Sequence, residues 1–189
     1  MPNKPEAYLS TAGLVHPLDE FYALAGLSLP PWQRVEGEEV PEPHRTLLVH
    51  QDDMTPTLER FHAGTIHLRV LGRRVKGDEY FREVVLLLNG AEKPVEFGAI
   101  KIYLDRFPAA ARELILAEHR PLGTILRECA IAHDSRPKAF LKVASDKLIA
   151  EVLGFTGAHV LWARRNTLMN LAGETLAEIV EILPPVGTK

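Results

Sequence analysis

The chain has 189 residues, a formal net charge of −3, 25% charged residues and 46% apolar ones. That balance suits one domain with a sizeable core, and it lacks the basic excess that draws a protein to nucleic acid or anionic membranes. A single cysteine, Cys129, excludes an internal disulfide framework and speaks against a cysteine-based zinc site. The first residues have no signal-peptide core and no run approaches ~18 apolar residues, so a cytoplasmic protein away from the membrane is expected.

In chain order, residues 1–45 form an arm broken by Pro2, Pro5, Pro17, Pro30, Pro31, Pro41 and Pro43. One short helix is predicted in it, from Pro17 to Ala25, with proline and the acidic Asp19 and Glu20 in its first turn. Leu18, Phe21 and Leu24 would be its buried stripe. The arm reads as wrapping a domain over residues 46–189, and it does not read as a helix-turn-helix.

Asp53-Met54-Thr55-Pro56 is a helix start, with Thr55 as cap and Pro56 first inside; Leu58 and Phe61 would face the core. Three β-like runs follow, Thr65 to Val75, Glu79 to Asn89 and Pro94 to Leu104, separated by Gly77-Asp78 and Asn89-Gly90. Such pairs are hairpin signals, so these strands should be antiparallel. A helix is predicted from Asp105 to His119, stopped by Pro121, and a short one from Leu122 to Glu128. Lys138 to Ala144, His159 to Asn170 and Thr175 to Leu183 read as further strands, with a helix near Asp146 to Leu153. The sum is an α+β fold: one antiparallel sheet of about six strands with helices packed on it.

Arg82 is the most informative charge. Period-two alternation puts it on one strand face with Tyr80, Val84, Leu86 and Leu88. A guanidinium on so apolar a face needs an anion, either a ligand carboxylate gripped by both oxygens or a protein acid. Pro121-Leu122-Gly123 is either a plain joint between helices or a place where free backbone N–H groups receive an anion. Glu178 and Glu181 lie on opposite faces of the last strand, and parity does not choose which of them faces inward.

Other signals are weaker than they look. The eight histidines form no His-Glu-x-x-His and no Cys/His cluster, so no metal is expected. His133-Asp134-Ser135 cannot converge as a triad, and Asp-Ser-Arg-Pro reads as a turn. Arg69, Arg73, Arg74 and Lys76 read as a solvated strand end rather than a nucleic-acid patch.

Four stretches, Asp53-Met54-Thr55, Tyr80-Phe81-Arg82-Glu83, Pro121-Leu122-Gly123 and Glu181-Ile182-Leu183-Pro184, together resemble chorismate pyruvate-lyase and its relatives from about Leu47 to Pro185. The resemblance implies a lyase that needs no cofactor and converts chorismate to 4-hydroxybenzoate and pyruvate. It implies that Arg82 and the Leu122 amide hold the ring carboxylate, that Met54 packs on the ring, and that Glu181 carries the proton. Arg164 or Arg165 would meet the enolpyruvyl carboxylate. The sequence departs from some lyases in reading Gly98-Ala99 and Ala163-Arg164 where they have Gly-Arg. The rival implied by the same fold is a non-catalytic module that binds a small aromatic acid, as in the effector domains of some bacterial regulators. Another is a lyase relative acting on a different cyclohexadiene or aromatic acid.

Overall fold

A computed structural model describes residues 11–186. Two short helices come first, α1 (Thr11–Leu14) and α2 (Leu18–Leu24), then strand β1 (Trp32–Val35). Helices α3 (His44–Leu48) and α4 (Met54–His62) lead into β2 (Ile66–Lys76), β3 (Glu79–Leu88) and β4 (Lys93–Tyr103). Helices α5 (Ala109–Leu116) and α6 (Leu122–Glu128) precede β5 (His133–Ala144). The chain closes with α7 (Lys147–Leu153), β6 (Val160–Asn170) and β7 (Thr175–Leu183). The strands form one seven-stranded antiparallel sheet in the order β1-β5-β6-β7-β4-β3-β2.

The seventh strand lies in the arm. Trp32 to Val35 pairs with Val143 to Phe140, so the arm becomes a sheet edge rather than a mere wrap. β5 starts at His133, earlier than expected, because Asp134-Ser135-Arg136 is extended and Pro137 sits at a register shift instead of a turn. A bulge is where a sheet tolerates proline. Two expected core residues face outwards: Leu24 is 64% exposed and Phe61 49%. Thr55 does not cap α4; the helix begins two residues earlier, with Asp53 at the cap position.

Alternation divides the sheet's two faces. On one, Phe81, Phe97, Ala99, Leu141, Val143, Val180 and Ile182 pack against Leu18, Phe21 and Tyr22 of α2 and against Ile149 and Leu153 of α7. The other face carries two apolar clusters. Leu68, Val84, Leu86 and Leu183 meet α3 and α4 through Leu47, Leu48, Met54 and Leu58. Tyr80, Ile100, Ile102, Leu168 and Ala177 meet α5 and α6 through Ile115, Leu122, Ile125 and Leu126. Between these two clusters the same face buries polar side chains: Arg82, Glu96, Arg164, Asn166 and Glu181. Gly98 stands in the middle strand there, and a Cβ on it would lie 2.0 Å from the Val180 carbonyl oxygen. Only glycine lets β4 and β7 approach so closely under the polar cluster.

Candidate functional site

A cavity opens where the two apolar clusters part. Its floor is β3, β4, β6 and β7, and its roof is the first turns of α4 and α6. The two roof helices nearly touch: a Cβ on Gly123 would lie 3.3 Å from Thr55 Oγ1 and 3.6 Å from Asp53 Cβ. The volume is about 60 Å³, room for roughly four to six waters, on the order of 120–180 Å³ of liquid. That suits one ring or a chain of similar size.

The four stretches converge here. Met54, Arg82, Leu122 and Glu181 all line the cavity, with Asp53, Thr55, Pro121 and Gly123 beside them. Arg82 is 2% exposed, and its Nε and Nη1 meet no hydrogen-bond partner among the described residues. Burial lowers its pKa, while Tyr80 and Glu118 hold it up. The Tyr80 hydroxyl donates to Glu118, whose other oxygen binds Arg73. Glu118 is therefore engaged, and Arg82 keeps two N–H directions free.

At the other side of the floor Glu181, 3% exposed, accepts from Arg164 Nε at 2.7 Å. Arg164 is fully buried, and its Nη1 also donates to the carbonyls of His50 at 3.2 Å and Asp52 at 3.4 Å. Arg164 is absent from the cavity lining, so it backs Glu181 from behind. Arg165 points to the opposite face, donating to the His16 carbonyl and to Glu178 at 2.8 Å. Glu178 also accepts from Tyr103, so of the two glutamates Glu181 is the one that meets the cavity.

One charged lining residue, Glu96, lies outside the four stretches. Glu96 is 5% exposed, its Oε2 has no partner, and burial first, then Glu181, raises its pKa well above the carboxylate range. The signal lay in the alternation, since Glu96 shares a face of β4 with Gly98, Ile100 and Ile102. Asn166 completes the floor, donating to Ser135 Oγ at 2.9 Å.

His133 latches the roof to the sheet. Its Nδ1 faces the Ile131 carbonyl at 2.8 Å and its Nε2 faces both Asp53 oxygens at 3.0 Å. Only an imidazolium donates at both nitrogens. The hydrogen bond to Asp53 is the first cause of a raised pKa. A raised folded-state value means that the latch's stabilisation is complete below the unfolded pKa of about 6.5 and fades as pH rises through the folded value. By NMR titration His133 is expected to show a midpoint above that reference, and Asp53→Asn should bring it down.

Among the described residues no group of three or more His, Cys, Asp or Glu side chains could hold a metal ion, and no helix is long and apolar enough to cross a membrane.

No protein-family model and no curated protein sequence matches the chain. Solved structures do. PhnF from Mycobacterium smegmatis is 11% identical with a TM-score of 0.55, over 91% of this chain and 95% of that one. The effector domain of PhnF is 12% identical with a TM-score of 0.54, over 72% and 91%. YydK from Bacillus subtilis, a possible transcriptional regulator, is 9% identical with a TM-score of 0.51, over 66% and 60%. The chain thus shares an α+β fold, one antiparallel sheet with helices packed on it, with these solved structures. The expectation of an enzyme is corrected: the similar solved structures named here are a possible transcriptional regulator, PhnF and the PhnF effector domain, and none of them is named as a lyase.

Proposed function

We propose that this chain is a non-catalytic binding module for a small carboxylic acid, an effector domain whose ligand is gripped by Arg82. One observation carries the reading. A guanidinium buried to 2% exposure lines a cavity of single-ring size with two N–H groups unmatched by the protein. Burying a cation with N–H groups unmade is costly, and a ligand carboxylate that accepts from Nε or Nη1 would offset part of the cost. Leu122 is on the same lining and is the first residue of α6, where a backbone N–H has no partner within the helix and can add a further donor. Met54 supplies an adaptable apolar wall against a ring or chain.

Glu181, implied by the resemblance as a proton carrier, serves here as a wall residue held by Arg164. An aromatic acid is the ligand class that best combines the Arg82 end with the apolar Leu68, Val84, Leu86 and Ile100 lining. The test is thermal unfolding with benzoate, 4-hydroxybenzoate and their methyl esters. A ligand that binds only the folded state stabilises it by mass action, by about 2.7 kcal/mol at a hundredfold excess over Kd. The acids are expected to raise Tm and the esters to leave it unchanged. Equal shifts from acid and ester would remove the carboxylate from the account.

A further inference from the structure

Arg82 leaves half of the cavity's unmatched polarity unexplained. The register sets Arg82 opposite Ile100 and Glu96 opposite Leu86, so the two charged side chains enter the cavity four residues apart along β3. At ~3.3 Å per residue that is about 13 Å between backbones, which their long side chains shorten to the length of one small molecule. Glu181 projects between them from β7, opposite Gly98. The far end is rich in acid: Glu96 and Glu181 share a single guanidinium, Arg164, and Glu181 holds its Nε.

A buried carboxyl with an unmade hydrogen bond destabilises the empty protein, just as Arg82 does. Both orphaned groups face the same space, and they are of opposite character. A ligand with only a carboxylate would satisfy one and leave the other.

Resting on the reading of Arg82 as the carboxylate grip, we infer that Glu96 is the specificity residue of the cavity. The ligand is then a zwitterionic acid, its carboxylate on Arg82 and a cationic amine on Glu96. An ammonium at that end gains from both Glu96 and Glu181, whereas a hydroxyl gains one hydrogen bond and no charge. In the empty cavity burial and Glu181 keep Glu96 protonated. When an ammonium arrives, Glu96 ionises against it and the proton passes to solvent. Binding therefore releases a proton, which a hydroxyl ligand would not cause.

The experiment is calorimetry of the full chain with benzoate, 4-hydroxybenzoate and 4-(aminomethyl)benzoate, in two buffers of different ionisation enthalpy. The aminomethyl acid is expected to bind about 10–100-fold tighter than benzoate, the worth of one hydrogen bond between charged groups. It should also release on the order of one proton per site. In Glu96→Gln the preference for the amine and the proton release should both vanish. Should that variant fail to fold, proton release by the wild type alone still decides. If benzoate binds and the aminomethyl acid binds no tighter, the inference about Glu96 falls while the carboxylate reading stands. A preference for 4-hydroxybenzoate without proton release overturns it in the same way. Binding of none of the three overturns both.

Discussion

Replacing Arg82 with methionine is expected to abolish acid binding and yet make the empty protein more stable. The two effects have one cause. The guanidinium is buried with Nε and Nη1 unmatched, so the folded, empty state bears the cost of desolvating a cation without a direct counter-ion. Methionine has a similar length, fits an apolar floor and removes that cost. Unfolding free energy should rise by about 1–3 kcal/mol, the range seen when buried charges give way to packed apolar side chains. Loss of the grip should weaken binding by about 2–5 kcal/mol, which puts an ordinary small acid beyond detection. Arg82→Lys should restore little, because a single ammonium does not reproduce the planar spread of guanidinium donors. Urea unfolding and titration calorimetry on the same samples read both quantities. A less stable Arg82→Met would mean that Tyr80 and Glu118 use the charge structurally, and the grip would lose its main support.

Arg164→Met should behave in the opposite way. Arg164 Nε and Nη1 already have partners, Glu181 at 2.7 Å and the carbonyls of His50 and Asp52, while its Nη2 is unmatched among the described residues. Its loss would leave two buried carboxyls, Glu96 and Glu181, without a cation between them. Breaking a buried pair from one side costs about 3–5 kcal/mol, a large share of the ~5–15 kcal/mol that holds a domain together. Adding Glu181→Leu should recover much of the loss, since the pair is then removed whole. Urea unfolding of both variants checks this. If Arg164→Met unfolds within about 0.5 kcal/mol of wild type but loses acid affinity, the charge belongs to the ligand and not to the wall.

The contrast between these two arginines marks how far the sequence could be read. Arg82 sits on a strand face whose other residues are apolar, so its burial was legible, whereas Arg164 and Arg165 stood as alternatives. What differs is the partner, which depends on which strand lies alongside. Register pairs Arg164 with Glu181 across β6 and β7, and that adjacency is a long-range fact of topology. Arg82 sits beside Arg73 and Ile100, neither an acid, and so is left open. Glu96 escaped notice for a related reason. Its neighbours Lys93 and Pro94 suggest a solvated strand end, yet Glu96 pairs in regular register with Leu86 and so stays on the inward face of Gly98 and Ile100. β1 is four residues long behind Pro30-Pro31, too short for alternation to announce it. Residues of all four stretches line one cavity, yet a shared cavity does not fix its chemistry.

Arg82 Nε carries its own proton, and that proton reports directly on what the guanidinium touches. In ¹⁵N–¹H spectra that resolve arginine Nε–H groups, assigned through Arg82→Met, titration with 4-hydroxybenzoate should move the Arg82 resonance, saturating with the calorimetric Kd. The Arg164 resonance, already committed to Glu181 at 2.7 Å, should move far less. A ligand that saturates the protein while the Arg82 resonance stays fixed would contradict the carboxylate grip.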